Sequence, residues 1–395
     1  MIDGGDDDDR GDWAARRQEE AAALRERGAY PAAAEACDEA VRIFEELEGS
    51  DSPNLANALI ERGRILDLMD RQAEAEAALE RGVEILRPLI SSGPASGEAA
   101  GADALPPEVL DDLTRLTLRA EVALADVIRK RGRLAEATAR AEAVVRWADT
   151  VLPAGDLLIA EALNGLGVIY KFQGRFADAE AAYQRALRIV EVDGSVPDPL
   201  ATLMHNLGGL AHSRGDFAAG EPLARRAVEL RESLYGRRHP SVAADIEAWG
   251  ALLEGLGRLP EAEQAYAEAL ATFESTLGPD SLEAASSASA LASVHQSLGR
   301  RQEALAGYER ALAIREAKLA PQHFDLALTL NNLGMLLQEL DRVADARTAI
   351  ARALAIFEAS LGPDHPHSRA AATNLAALRR PRSRAAPTRG GGPER

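Results

Sequence analysis

Small and large apolar residues recur along the chain at fixed distances from a short turn. Each turn is a residue pair that ends in glycine or aspartate. Eight such turns occur, at Arg27-Gly28, Met69-Asp70, Arg131-Gly132, Gln173-Gly174, Arg214-Gly215, Leu256-Gly257, Leu298-Gly299 and Leu340-Asp341. Their second residues are separated by 42, 62, 42, 41, 42, 42 and 42 positions. One period, with an insertion of about 20 residues between the second and third turns and a single-residue deletion between the fourth and fifth, therefore predicts eight repeats.

Two columns of mainly small residues follow the turns and define the elements of each repeat. They stand five residues after the turn (Ala33, Ala75, Ala137, Ala179, Gly220, Ala262, Ala304 and Ala346) and twelve residues after it (Ala40, Gly82, Val144, Ala186, Ala227, Ala269, Ala311 and Ala353). Residues seven apart share one face of a helix, where small side chains let another helix approach. Large residues such as Tyr183, Tyr266 and Tyr308 lie between the columns. Each repeat is therefore predicted to be helix, turn, helix, with glycine ending the first helix.

Particular helices resemble those of a known family. The segment Leu-Thr-Leu-Asn-Asn-Leu-Gly at 328–334 resembles a first helix of tetratricopeptide repeats, and residues 303–316 resemble a second helix of the kinesin light chain subtype. The period, longer than the usual 34 residues, and the connector Leu-Gly-Pro-Asp-His-Pro at 361–366 favour the same subtype. The resemblance covers about residues 13–380. It implies an all-α fold, a right-handed superhelical solenoid of tetratricopeptide-type repeats that binds proteins.

The same register predicts how the chain is divided. The expected segments are a disordered acidic leader (1–12), repeats one and two (13–90), a flexible insertion (91–108), repeats three to eight (109–366), a C-terminal capping helix (367–380) and a disordered tail rich in Arg, Gly and Pro (381–395).

Composition and charge restrict the classes of binding partner and the cellular compartment that we expect. A net charge of −18 argues against nucleic acid and anionic membrane surfaces as main partners. The single cysteine, Cys37, excludes an intramolecular disulfide and a cysteine zinc site. No apolar stretch approaches the ~20 residues of a membrane span, and the acidic N-terminus is unlike a signal peptide. We therefore expect a cytoplasmic protein, or a piece of a larger chain whose anchor lies elsewhere. The Ala/Arg-rich composition indicates a bacterial source.

Motifs of catalysis are missing from the sequence. It contains no Walker loop, HExxH, CxxC pair or GxSxG elbow, so we expect no enzyme activity, cofactor or metal. His365 and His367 flank Pro366 beside Asp364, as metal ligands can. Because the connectors at His239 and His323 are similar, a role in the turn explains these histidines better.

The candidate binding residues lie on the first helices, which line the concave groove in tetratricopeptide arrays. Asparagine is a mediocre helix former, so its recurrence nine or ten residues before the turns needs a reason. Its amide can donate to and accept from an extended peptide backbone. The predicted peptide-binding residues at these offsets, and three residues before the turns, are Asn164, Lys171, His205, Asn206, His212, Ser289, Gln296, Asn331, Asn332, Gln338 and Asn374. The alternative is that the asparagines bridge adjacent helices.

A basic set marks one end of the predicted groove. Arg119, Arg129 and Lys130, together with Lys171, could receive an acidic ligand there. The alternative is an ordinary solvated face. The sequence thus predicts an interaction scaffold that binds a protein or peptide partner in its groove. The alternative function is a regulatory or sensor module that controls a signalling or effector protein, since the repeats resemble those attached to bacterial kinases, peptidases and regulators.

Overall fold

A computed structural model describes residues 4–91, 105–193 and 197–378. Within these ranges the chain forms seventeen α-helices and no β-strand, so the predicted all-α fold is confirmed. The helices are α1 Gly4–Glu26, α2 Tyr30–Glu48, α3 Pro53–Leu68, α4 Gln72–Ser91, α5 Pro107–Lys130, α6 Leu134–Val151, α7 Leu157–Phe172, α8 Phe176–Asp193, α9 Pro197–Arg214, α10 Phe217–Tyr235, α11 Pro240–Gly255, α12 Leu259–Thr276, α13 Leu282–Ser297, α14 Arg301–Lys318, α15 Phe324–Glu339, α16 Val343–Leu361 and α17 Pro366–Ala377.

The chain divides into two compact units, Met1–Leu256 and Gly257–Arg395. The first contains α1 to α11 and the second α12 to α17. Within each unit, every helix packs against the next one in the chain. This stacking in chain order is the arrangement of an α-solenoid, in which each repeat completes the core of its neighbour.

The eight predicted turns all contain a residue in the left-handed region of backbone conformation. The φ angle is positive at Gly28, Gly132, Gly174, Gly215, Gly257 and Gly299, and it is 59° at Asp70 and 57° at Asp341. At the first turn, Ala29 N–H donates to the carbonyl of Leu24 at 2.9 Å, which pairs a carbonyl left free at the end of α1. Glycine adopts this conformation without strain, and aspartate tolerates it better than most residues.

The small-residue columns form the core of the stack. Every alanine in the two columns is fully buried, and Tyr183 and Tyr308 are among the largest fully buried side chains. Cys37 is also fully buried, and its thiol donates to the carbonyl of Ala58 at 3.2 Å. Burial raises the pKa of this thiol to about 12, so Cys37 is an unreactive core residue.

The N-terminal segment differs from the prediction. Helix α1 begins at Gly4, so residues 4–12 are helical and not a disordered leader. Two contacts attach the start of α1 to α2: Arg10 forms an ion pair with Glu46, and the Trp13 indole donates to Glu39 at 3.2 Å. The acidic composition predicted disorder because it does not show the contacts of Arg10 and Trp13 with α2.

The insertion, the capping helix and the tail were predicted at 91–108, 367–380 and 381–395. Helix α4 continues to Ser91 and α5 begins at Pro107, while residues 92–104 of the predicted insertion lie outside the described residues. The predicted capping helix corresponds to α17, whose Ser368 and Ala371 are buried. The predicted tail, 381–395, also lies outside the described part.

The capping helix is held by an aromatic cluster that should make it sensitive to acid. The His367 ring stacks on Phe357 with a centroid distance of 5.4 Å and meets Phe324 edge-on at 5.3 Å. Burial against these rings and the nearby His365 lower the pKa of His367. The folded state therefore binds this proton less tightly than the unfolded chain. The stability that neutral His367 contributes is present above pH ~6.5 and is lost as the pH falls through the folded-state pKa.

We expect His367→Phe to weaken the acid sensitivity of α17 while preserving the ring packing. Hydrogen exchange of the α17 amides, measured at pH 7 and pH 5, should show a smaller loss of protection in the variant than in the wild type. Equal losses in the two proteins would contradict a role for His367.

Candidate peptide-binding surfaces

The first helices of the repeats line the inner side of each unit. They contact one another across neighbouring repeats: α1 with α3, α3 with α5, α5 with α7, α7 with α9 and α9 with α11 in the first unit, and α13 with α15 in the second. Among the described helices, second helices of neighbouring repeats make no comparable contact. A row of helices that lie closer together than the outer row forms the concave side of a curved stack. The predicted candidates lie on these first helices, except Asn374, which lies on α17.

Two pairs of asparagines connect adjacent first helices. Asn206 of α9 donates from Nδ2 to Oδ1 of Asn164 in α7 at 2.7 Å. In the second unit, Asn374 of α17 donates in the same way to Asn331 of α15 at 3.1 Å. The bridging role, set out above as the alternative, thus applies to these four residues. Each pair uses one N–H and one carbonyl, so each amide keeps further donors or acceptors for a ligand.

The other polar candidates fall into two groups. Some are engaged: His205 Nδ1 lies 2.8 Å from Oδ1 of Asp245 on α11, and Gln296 donates to Glu339 at 2.7 Å. Others are half-buried with no side-chain hydrogen bond found among the described residues, namely Ser289, Asn332 and Gln338. The predicted residues therefore differ in whether their side chains are already hydrogen-bonded within the protein.

Asp245 is the centre of a buried charge network that the sequence analysis did not include. Its carboxylate is fully buried and accepts two bonds from Arg231 Nη1, at 2.8 and 2.9 Å, in addition to the contact with His205. Arg231 also donates to Thr202 and Asp198. His205 is thus held by a structural ion network, and its orientation on the concave side is fixed by Asp245.

The three basic residues predicted at one end of the groove differ in their ion pairs. Lys130 is paired with Asp67 at 2.7 Å and with Asp126 at 3.2 Å. Arg129 donates to Asp126 at 2.8 Å, and its guanidinium lies 4.3 Å from the centre of the Phe172 ring. Arg119 is exposed. Lys130 thus has two carboxylate partners and Arg129 has one, whereas Arg119 has no ion pair among the described residues.

A depression of about 660 Å³ lies among α3, α5, α6 and α7. Asn164 and Val168 line it, together with charged side chains. Those charged residues are Arg64, Arg119, Asp126, Arg129 and Glu161. Glu161 is accessible to solvent but is surrounded by the walls of the depression, and this desolvation raises its pKa. The depression can therefore accept a ligand segment that carries both apolar and charged groups.

Arg64, Asp126 and Glu161 line the depression but were not predicted from the sequence. A comparison of further equivalent positions in the repeats would have included them. Glu161 stands thirteen residues before its turn, the same offset as Arg119, and Arg64 and Asp126 both stand six residues before theirs. Because the residue type changes from repeat to repeat in these columns, no pattern of identical residues marks them.

Lys171 and His212 occupy equivalent positions on neighbouring first helices. Both stand three residues before the turn, on α7 and α9. The pKa of Lys171 is lowered by burial and by the charge of Arg129. Burial also lowers the pKa of His212, with Lys171 adding to the effect and Glu254 opposing it. Because the pKa of His212 lies below its ordinary value, this ring is neutral at pH 7.

Two kinds of site are not found in the described ranges. No cluster of three or more His, Cys, Asp or Glu side chains there could hold a metal ion. Nor does that part of the chain include a helix long and apolar enough to cross a membrane.

Comparisons with known proteins identify the repeat. Family models described as "Tetratricopeptide repeat" match residues 15–87, 116–191, 244–317 and 325–384, and a second such model matches residues 200–241. No curated protein matches the sequence closely enough to count as a relative.

Two solved structures of similar fold cover most of this chain. A Rap protein complexed with Competence and Sporulation Factor has a TM-score of 0.57 and 15% identity, over 92% of this chain and 97% of that one. A signal transduction ATPase with a tetratricopeptide repeat sensor from Pyrococcus horikoshii has a TM-score of 0.51 and 13% identity, over 87% of this chain and 49% of that one.

Kinesin light chain-like repeats are also among the solved structures that match. One, from a putative kinesin light chain of "Podosopora anserina", has 19% identity over 62% of this chain and 96% of that one, with a TM-score of 0.31. At these identities the structural likenesses concern the fold alone. The family models cover well over half of the sequence, in register with the turns and helix pairs described above. The chain therefore belongs to the tetratricopeptide repeat family.

Proposed function

We propose that this protein is a non-catalytic interaction scaffold, and that the concave side of its first unit binds an extended segment of a partner protein. The observation that carries the proposal is the depression among α3, α5, α6 and α7. It offers polar, charged and apolar side chains on one inner surface. The Asn164–Asn206 pair borders it and has unused amide groups that suit a peptide backbone.

The similar Rap structure supports this reading, because that protein was crystallised with Competence and Sporulation Factor. The ATPase from Pyrococcus horikoshii supports a second candidate, in which the array acts as a sensor module for an effector. The two functions share the binding step. They differ in whether the bound partner changes the activity of another protein.

Selection of peptides on the full chain tests the binding step. A display library of random 12-residue peptides should yield a family of binders for the wild type. Val168→Trp places a large ring in the depression and should weaken binding of these peptides at least ~10-fold, which corresponds to ~1.4 kcal/mol. The matched control is Arg188→Trp, an exposed position on the outer helix α8 of the same repeat, which should bind like the wild type.

Circular dichroism at 222 nm would verify that both variants keep their helices. The proposal fails if the wild type selects no peptides, or if Val168→Trp binds them as tightly as Arg188→Trp does.

A further inference from the structure

Three helices begin at a histidine whose side chain caps the helix. His239, His323 and His365 precede α11, α15 and α17. In each case Nδ1 of the ring accepts, at 3.2 Å, from the backbone N–H of the second residue after the histidine. The first N–H groups of a helix have no partner within the helix, and the ring supplies one. Each ring therefore bonds as a neutral imidazole that carries its proton on Nε2.

Three equivalent helices are capped by side chains that do not change charge near neutral pH. Ser52 caps α3, Asp156 caps α7 and Ser281 caps α13, each by accepting from backbone N–H groups at 2.9 to 3.3 Å. Serine does not ionise, and an aspartate is ionised above pH ~4. The first helices of the repeats therefore include both histidine caps and caps that are constant between pH 5 and pH 7.

Protonation converts the capping nitrogen of a histidine from an acceptor to a donor. Both ring nitrogens of a charged imidazole carry a proton, so Nδ1 can no longer accept from the backbone N–H that it faces. The new charge also lies at the N-terminal end of a helix, where the helix dipole disfavours a cation. All three rings are partly exposed, so solvent can supply the proton. Both effects weaken the first turn of the helix in acid.

The groups around His239 determine the pH range of its cap. The ring stacks on Tyr235 of α10 with a centroid distance of 4.6 Å. Burial and the charge of Arg231 lower the pKa of His239, while Asp198 opposes them. The folded state therefore binds this proton less tightly than the unfolded chain. The stability from the cap is present above pH ~6.5 and is lost as the pH falls through the folded-state pKa.

The other two histidines have different charged neighbours. Asp325, in the same first turn, lies with a carboxylate oxygen 3.9 Å from Nδ1 of His323, so it can accept from the ring once the ring is protonated. His365 instead stacks on the ring of His367 at 5.3 Å, and two protonated rings would repel each other. We therefore expect acid to weaken the start of α17 more than the start of α15.

We propose that His239, His323 and His365 form a set of acid-sensitive helix caps, which release the first turns of α11, α15 and α17 when the imidazole rings are protonated. The device would loosen the array at these connectors while α3, α7 and α13 stay capped. It acts through the backbone bond of each cap and is thus distinct from the ring packing of His367. It is also independent of the proposed binding function.

Hydrogen exchange of the wild type at pH 7 and pH 5 tests the device. Each measured rate is divided by the intrinsic rate at the same pH, which gives a protection factor. Protection of the first-turn amides of α11 and α17 should fall about fivefold or more, the range expected for the loss of one N-cap. The first turn of α15 should lose less. The first turns of α3, α7 and α13 are internal controls and should change less than twofold.

Two substitutions separate the cap from other effects of acid. In His239→Asn the first turn of α11 should keep its protection at both pH values, because asparagine caps helices well and does not titrate. In His239→Ala the protection should be low at both pH values. His205 also contacts α11, through Asp245, but its protonation would strengthen that ion pair and so cannot imitate the loss.

Long-range ¹H–¹⁵N spectra of the chain with ¹⁵N-labelled histidine observe the caps directly. At pH 7 the rings of His239, His323 and His365 should show the Nε2–H tautomer, and His239 should titrate below pH 6.5. An Nδ1–H tautomer at these positions would overturn the proposal. So would an equal acid loss in His239→Asn and the wild type, or equal losses in the histidine-capped and serine-capped helices.

Discussion

Replacement of Asp245 by alanine is expected to lower the free energy of unfolding of the surrounding helices by about 3–5 kcal/mol, the usual cost of removing one member of a buried ion pair. The carboxylate is fully buried on α11, and both of its oxygens accept from Nη1 of Arg231 on α10. Without it, a largely buried guanidinium keeps its charge and loses its best partner. His205 on α9 loses its contact as well. Three consecutive helices would be loosened together.

Asp198→Ala provides the matched control, because Asp198 contacts the same guanidinium at 3.2 Å but is much more exposed. An exposed ion pair contributes about 1 kcal/mol or less. Urea unfolding followed by circular dichroism would give the global effect. Because repeat arrays can unfold in parts, hydrogen exchange of α9 to α11 would give the local one. Equal effects of the two substitutions would show that Asp245 is not the centre of the network.

The sequence predicted the helix pairs and turns of the repeats better than the polar contacts between them. The helix pairs and turns could be read from it because the same steric requirement recurs every 42 residues: a small residue where helices meet, and a residue that tolerates positive φ in the turn. Asp70 and Asp341 fit the turn column although they are not glycine, since aspartate also tolerates that conformation.

Polar contacts between repeats were not readable in the same way. Asp245 looks like any acidic residue of an acidic helical chain, and its role depends on Arg231 and His205 from two other helices. The helical state of residues 4–12 depends on α2 for the same reason. For the candidate site, the sequence showed the asparagine columns of the first helices. It did not show that Asn164 and Asn206 bond to each other, or that Lys130 is paired and Lys171 is not.

Two glycines in the same helix should respond in opposite directions to substitution by alanine. Both Gly165 and Gly167 lie within α7, so alanine gains up to about 1 kcal/mol of helix propensity at either position. At Gly165 an added Cβ would meet only Val122, at an ordinary contact distance of 3.5 Å. At Gly167 it would lie 2.5 Å from Cε1 of the fully buried Tyr183 ring, which is a steric clash. Overpacking of this kind costs typically 1–3 kcal/mol, which exceeds the gain.

We therefore expect Gly165→Ala to raise the urea midpoint slightly and Gly167→Ala to lower it. The cause at Gly167 can be isolated by a double-mutant cycle with Tyr183→Leu, which removes the ring that the new methyl group would strike. The double variant should lose less unfolding free energy than the sum of the losses in the two single variants. The reason is that the clash occurs in Gly167→Ala but not in the double variant, which has no ring at position 183. Additive effects would mean that strain elsewhere in α7, and not the Tyr183 ring, excludes a side chain at position 167.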